Sequence, residues 1–377
     1  MKNKKTVILY RVVQNWRAPF FDLLNKEEDL DVAVWHGPDF PNSKVISTKK
    51  SYAFKRKKLI SFKLRFKSSN GEVLMPFSPF LFFALIFKNP SVIISEGASN
   101  LPNALQGFLY AKIFRKKFIW WSLGKIKNRE FGKTRSKLDS IVQFIEKRAD
   151  AIISYSSRGK EYFEYVGVKE EKIFTAVNVV DTKKIIANLK NIEAQTDIEP
   201  YNSPYEFTLL FVGALTKEKS IDTLLHALSK LDAYKDKIGL FVVGDGSYRN
   251  ELETLAKDLQ LSNIHFFGKR IEDSHLFWRA ADLFVLPGLG GLAISEAMCY
   301  SLPVLCSIGD GCEVDLVTKE NGIIEEAMTP ESLSKHILWF YNNQEQLPKM
   351  KETSLSIIEN KYNTDNYIKR IKDAINS

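Results

Sequence analysis

Two loops in the second half of this 377-residue chain carry residue types suited to gripping an anion. The apolar run Leu283-Phe284-Val285-Leu286 reads as a buried strand, and it leads through Pro287-Gly288-Leu289-Gly290-Gly291 into a helix that opens near Leu292. A helix start offers unpaired backbone N–H groups, and glycines beyond the carboxyl end of a parallel strand let a diphosphate approach the backbone closely. Glu296 follows one turn along the same helix, where its carboxylate can accept hydrogen bonds from ribose hydroxyls. Taken alone, this loop is equally well a tight turn packed on its sheet, with Glu296 solvated. A second loop leaves the apolar run 207–212 as Gly213-Ala214-Leu215-Thr216-Lys217-Glu218-Lys219 and enters another helix. A lysine there is ordinarily a surface residue; Lys219 gains weight because the glycine loop would face it across a phosphate. Between them, Val242-Val243-Gly244-Asp245-Gly246-Ser247 has Gly-x-Gly after a strand but lacks the third glycine of a dinucleotide fingerprint, and reads as a turn lining the site.

The elements that must position these loops alternate through the whole chain. Short β-branched or aromatic runs at 6–10, 31–35, 91–95, 117–121, 151–154 and 172–177 are separated mostly by helical spacing, which implies right-handed βαβ units and a parallel sheet. Residues 178–204 turn polar and end in Glu199-Pro200-Tyr201-Asn202-Ser203-Pro204, a cluster of turn formers that suits a linker. The pattern then restarts, with strands expected at 206–212, 239–243, 264–267, 283–286 and 304–306. The length fits two domains of roughly 150 to 200 residues each. The expected fold class is α/β: two doubly wound Rossmann-like domains, 1–190 and 191–377, facing across a cleft. The helical stretch 330–376 is expected to run back across both.

Order, spacing and residue types together resemble glycosyltransferase family 4, the retaining nucleotide-sugar enzymes of GT-B architecture. The resemblance rests on FVGALTKEKSIDTLLHAL (211–228), VVGDGSYRNELETLA (242–256), NIHFFGKR (263–270), ADLFVLPGLGGLAISEAMCYSLPV (281–304) and ENGIIEE (320–326). In the first half, NWRAPFFDLL (15–24), FIWWSLGK (118–125) and VNVVDTKKI (177–185) are similar to the family's acceptor-domain landmarks. The resemblance implies that residues 1–190 bind the acceptor and 191–377 the donor. It further implies that Lys219 binds the donor diphosphate and Glu296 the ribose, these two being the catalytic candidates. Backbone at Gly213, Gly290, Gly291 and Leu292 would line the phosphates, Lys269 and Arg270 would fall by the base pocket, and Asn178 and Asp181 would mark the hinge-side strand end. Three positions depart from the family: Ala214 stands where an arginine is usual, Gly288 where the first of two glutamates is usual, and Ser122 where many relatives have a histidine.

Bulk properties narrow the alternatives. Residues 1–190 carry 36 Lys plus Arg against 17 Asp plus Glu, whereas the remainder carries 18 against 28. A basic first half suits an anionic partner such as a membrane surface or a phosphorylated acceptor, or simply a solvated face. The run from Lys49 to Lys67 mixes cations with Tyr52, Phe54, Phe62 and Phe66, and the apolar segment 77–87 that follows reads chiefly as a core helix, with lipid contact as the alternative. No apolar stretch approaches the roughly 20 residues needed to cross a bilayer, and the run 6–10 is too short for a signal-peptide core. Cys299, Cys306 and Cys312 lack metal-site spacing and read as reduced, buried thiols, so the expected location is cytoplasmic, on the inner face of the membrane. No cofactor or metal is expected. Asp29-Leu30-Asp31 precedes its strand, unlike the metal-binding version in the other sugar-transferase fold. The expected function is transfer of a sugar from a nucleotide diphosphate sugar to a saccharide or lipid-linked saccharide acceptor in surface polysaccharide or glycolipid assembly. The alternative is a catalytically degenerate partner that binds nucleotide sugar and supports another transferase, motivated by Ala214 and Gly288. A nucleic-acid binder would rest on the basic half alone and lacks any binding module. An epimerase would need paired carboxylates that Glu296 alone does not supply.

Overall fold

A computed structural model of the chain describes residues 3–39, 46–68, 71–125, 137–194 and 201–377. These form two compact units, Met1–Val177 with Asp365–Ser377, and Asn178–Thr364.

In the first unit the apolar runs become β1 (Lys4–Tyr10), β2 (Leu30–His36), β3 (Lys55–Lys58), the hairpin β4 (Phe62–Ser68) and β5 (Gly71–Phe77), then β6 (Val92–Glu96), β7 (Lys117–Ser122), β8 (Ala151–Ser154) and β9 (Ile173–Thr175). The main sheet is parallel, ordered β3-β2-β1-β6-β7-β8-β9, and β4 pairs with β5 apart from it. Val7, Ile8, Ile93, Ile94, Phe118, Ile119, Trp120, Ile152 and Ile153 are buried. A parallel sheet covered by helices on both faces has no solvent side, which is why its strands read as continuous apolar runs. The covering helices are α1 (Ala18–Asn25), α2 (Leu81–Lys88), α3 (Leu101–Ile113), α4 (Lys137–Arg148) and α5 (Ser157–Tyr165).

Two parts of this unit depart from the sequence expectation. Lys55–Lys58 forms the edge strand β3, each residue exposed, held to β2 in register from Ala33↔Lys55 to His36↔Lys58. A row of cations on an edge discourages further strand pairing. In α2 the core expectation holds for Leu81 and Leu85, whereas Phe80, Phe83 and Phe87 are exposed, Phe87 at 89%. An eight-residue helix presents one stripe to its neighbour, and positions 81 and 85 occupy it.

The second unit contains α6 (Thr182–Glu193) and then β10 (Phe207–Val212), α7 (Ile221–Ser229), β11 (Ile238–Val243), α8 (Arg249–Asp258), β12 (Ile264–Gly268) and α9 (Ser274–Ala280). It continues with β13 (Leu283–Leu286), α10 (Leu292–Cys299), β14 (Val304–Ser307), α11 (Glu313–Leu316), β15 (Gly322–Glu325), α12 (Pro330–Asn342) and α13 (Leu347–Asn360). Its parallel sheet is ordered β12-β11-β10-β13-β14-β15. The three cysteines are buried and unbridged.

The units divide at Val177/Asn178 rather than at the expected 190/191, because α6 is anchored to the second one. The Val180 N–H donates to Ser295 Oγ at 3.0 Å, and the hydroxyls of Thr182 and Thr364 lie 3.1 Å apart. Residues 195–200 of the expected linker lie outside the described residues. The last helix, α14 (Thr364–Asn376), belongs almost wholly to the first unit. There the fully buried Arg17 guanidinium donates to the Tyr367 hydroxyl and lies 5.2 Å from the Trp121 ring centroid and 5.4 Å from that of Tyr155. Part of the first-half landmark 15–24 is thus core: Arg17, Ala18, Phe20 and Phe21 are all buried.

Candidate functional site

β10 and β13 are neighbours where the strand order of the second sheet reverses, since β10, β11, β12 run one way from this point and β13, β14, β15 the other. Loops leaving such a pair border the crevice where open α/β sheets take ligands. Here the two loops lock together through their backbones. The Leu289 N–H donates to the Glu218 carbonyl at 2.8 Å, and the Lys219 ammonium donates back to the Leu289 carbonyl. Contact this close requires glycine. A Cβ on Gly288 would lie 2.4 Å from the Glu218 carbonyl oxygen and 2.5 Å from the Lys219 carbonyl carbon. One on Gly290, whose φ is +136°, would lie 2.1 Å from Lys219 Nζ. Gly288 therefore has a steric task, to let the lysine loop reach the glycine loop.

Lys219 closes a short 3-10 turn, Lys217–Lys219, and Ser220 follows in the left-handed region at φ +52°. A non-glycine residue there is uncommon, and such strain is found where neighbouring structure fixes the backbone. Partial burial lowers the pKa of the ammonium, opposed by the nearby carboxylates of Asp310, Glu313 and Glu218. Gly213 begins this loop, its N–H donating to the Val243 carbonyl at 3.0 Å, and Ala214 beside it is exposed. The turn after β11 packs on the same loop: Leu215 N–H donates to the Asp245 carbonyl at 3.1 Å, and a Cβ on Gly244 would lie 1.8 Å from the Gly213 carbonyl oxygen.

Sequence reasoning missed the loop after β14. The Gly291 N–H, just ahead of α10, donates to Asp310 Oδ2 at 3.1 Å. Glu313, fully buried, accepts from the backbone N–H groups of Asp310 (3.0 Å) and Gly311 (2.6 Å) and so fixes that turn. The signal was present in Gly309-Asp310-Gly311, a glycine turn leaving the strand next to β13, on the same sheet edge.

Glu296 and Leu292 are half-buried on α10, near the glycine loop. Burial pushes the Glu296 carboxyl up to about 7, opposed by the Trp278 indole N–H, and Trp278 itself stacks on Tyr300 at 5.5 Å. A carboxyl whose folded pKa exceeds its unfolded one costs stability only as pH climbs past the unfolded value, with the full cost present above the folded value. Glu296→Gln is therefore expected to raise the stability of the unliganded protein at pH 8, by about 1–3 kcal/mol, and to lose most of that advantage at pH 5. Melting curves at the two pH values check this; an equal shift at both would contradict it.

Lys269 and Arg270 are not gathered into the interlocked loops. They follow β12, two strands from β10, and both are exposed; Arg270 pairs with Asp273 and lies 5.6 Å from the Phe277 ring centroid. Asn178 opens the second unit, and Asp181 caps α6, accepting from the Lys184 N–H at 3.3 Å. Among the described residues no group of three His, Cys, Asp or Glu side chains is placed to hold a metal ion.

Comparison with known proteins fits this geometry. Residues 193–362 match the family model of glycosyl transferases group 1. An uncharacterized glycosyltransferase of Methanocaldococcus jannaschii, MJ1069, is 26% identical over 324 residues, 78% of this chain and 76% of its own length. The O-antigen biosynthesis glycosyltransferase WbnH of Escherichia coli is 28% identical over 254 residues, 65% of this chain and 68% of its own. Among solved structures, that of HepE from Anabaena in complex with UDP superposes with a TM-score of 0.72 at 16% identity, covering 99% of both chains. The chain has a GT-B fold, and its residues 193–362 form a domain of the glycosyl transferases group 1 type.

Proposed function

We propose that the second unit binds the diphosphate of a nucleotide diphosphate sugar. The first unit would then bind a saccharide or lipid-linked saccharide acceptor, and the sugar is transferred with retention and without a metal. The observation that carries this reading is the joining of the Lys219 ammonium to the glycine loop that opens α10. When the sugar–phosphate bond breaks, negative charge develops on the leaving diphosphate while the sugar becomes oxocarbenium-like. Fixed amides and an ammonium stabilise that charge without reorganising. Glu296, charged once a ligand or higher pH removes its proton, would accept from ribose hydroxyls; Lys269 and Arg270 would lie toward the base.

Surface polysaccharide or glycolipid assembly, at the cytoplasmic face of a membrane, is the setting this reading favours. Similarity to the O-antigen transferase supports it. So does a first unit whose edge strand Lys55–Lys58 is wholly exposed and which turns out Phe80, just ahead of α2, and Phe83 and Phe87 within it, a basic and aromatic pairing suited to anionic lipid. No helix among the described residues is long and apolar enough to cross a membrane. Flotation with phosphatidylglycerol vesicles is expected to recover the protein at low salt and to lose it on reversing the charges of Arg56, Lys57 and Lys58. Binding indifferent to both would sink the electrostatic part.

The reaction itself is tested by incubating the protein with a panel of nucleotide sugars and following release of nucleoside diphosphate, with and without chelator. Slow hydrolysis or transfer with one donor, unaffected by chelation, is the expected result. Activity abolished by chelation and restored by manganese would overturn the metal-independent step. Tight nucleotide binding with every donor left intact would instead favour a degenerate partner protein.

A further inference from the structure

The anion grip of the second unit is already engaged by a carboxylate of its own chain. Asp310 Oδ2 accepts the Gly291 N–H at 3.1 Å, the amide directly ahead of α10, where a phosphate oxygen would otherwise be held. The same carboxylate is the largest charge influence on Lys219, followed by Glu313 and Glu218. Asp310 does not lie there by chance of a loose loop. Its own N–H and that of Gly311 are both bound by the buried Glu313 carboxylate, so the turn Gly309–Cys312 is pinned with Asp310 facing the glycine loop. A Cβ on Gly291 would lie 1.8 Å from the buried Cys312 Sγ, and one on Gly309 would lie 2.9 Å from Leu289 Cα. The two loops are therefore in close contact.

We propose that Asp310 is an internal competitor for the donor's diphosphate, a residue that determines which anions the site accepts. It holds the Gly291 amide and screens Lys219 in the unliganded protein, and a ligand must displace it to bind. The inference rests on the donor-site reading above and deepens it. A carboxylate and a phosphate oxygen brought to one N–H would be two anions a few ångströms apart, which repel by several kcal/mol at the effective dielectric of a protein surface. A nucleoside monophosphate, whose single phosphate cannot occupy the amide and face Lys219 at once, gains too little to expel Asp310. A nucleoside diphosphate replaces it at the amide with one phosphate and keeps Lys219 neutralised with the other. The site thus selects for the pyrophosphate group, and between turnovers its amide is held by Asp310 and its ammonium by the Leu289 carbonyl.

The test is calorimetric titration of the full chain with UDP, GDP, ADP, CDP and dTDP, each beside its monophosphate, for the wild type, Asp310→Asn, Asp310→Ala and Lys219→Ala. Both Asp310 variants are expected to bind the preferred nucleoside diphosphate about tenfold more tightly, and its monophosphate more tightly still, so that discrimination between the two shrinks. The alanine variant guards against an asparagine that still occupies the amide. If the wild type binds a diphosphate and Lys219→Ala weakens it, while both Asp310 variants bind with unchanged or lower affinity, the competitor role is overturned and the donor site stands. If no nucleoside diphosphate binds the wild type or either Asp310 variant, the donor-site reading falls and this inference with it.

Discussion

Lys219→Ala is expected to lower the rate of sugar transfer by about 100-fold or more while leaving the fold intact. The magnitude follows from what the side chain would do: removing one preorganised donor from the place where leaving-group charge develops typically costs two to three orders of magnitude. The fold should survive because the loops remain joined through the Leu289 N–H and the Glu218 carbonyl once the ammonium's own bond to the Leu289 carbonyl is lost. Steady-state kinetics with the preferred donor, together with a melting curve, separate the two effects. A loss confined to KM, with kcat unchanged, would mean that the lysine binds the ground state and the transition state equally. A protein of undiminished activity would remove Lys219 from the chemistry.

Gly288→Ala should do its damage by a different route. The added Cβ would sit 2.4 Å from the Glu218 carbonyl oxygen, and backbone cannot swing aside as the end of a flexible side chain can. The lysine loop must then lift away from the glycine loop, breaking the Leu289 to Glu218 hydrogen bond and carrying Lys219 with it. Overpacking of this kind costs about 1–3 kcal/mol. The expected result is a fall in melting temperature accompanied by at least roughly tenfold weaker nucleoside diphosphate binding, the equivalent of about 1.4 kcal/mol. Thermal melts and calorimetry on the same sample check it. A normal melting temperature with normal affinity would show that the loops need not touch.

Both predictions concern residues the sequence made visible, and the reason is physical. Parallel strands buried on two faces are unbroken apolar runs, so β10 and β13 stand out, and the glycines and lysine that follow them fall at strand ends where a ligand would lie. What Gly288 does was not legible. From the sequence it appears only as a carboxylate missing from a familiar pattern, because the contact that demands it comes from residues 218 and 219, on another loop. Asp310 was hidden for the same reason: its tie to Gly291 spans 19 residues and the intervening helix α10. The edge strand Lys55–Lys58 escaped because four consecutive cations carry no alternation to reveal it, and the β2 partners that their side chains reach, Asp31, His36 and Trp35, lie about twenty residues away in the sequence. The exposed phenylalanines of α2 escaped because hydrophobicity says that a segment wants burial, whereas the depth of one short helix face decides how many side chains obtain it. The end of the chain is a related case. Tyr367 joins the first unit through Arg17, two residues 350 positions apart, and no local pattern announces such a pair.

Hydrogen–deuterium exchange of the full chain with and without its best-binding nucleoside diphosphate tests the pyrophosphate grip most directly. The predicted result is slowed exchange confined to the amides of 213–220 and 288–292, with faster or unchanged exchange in the Asp310 turn once its carboxylate is displaced. Protection that spares both loops and appears elsewhere in the chain would contradict it.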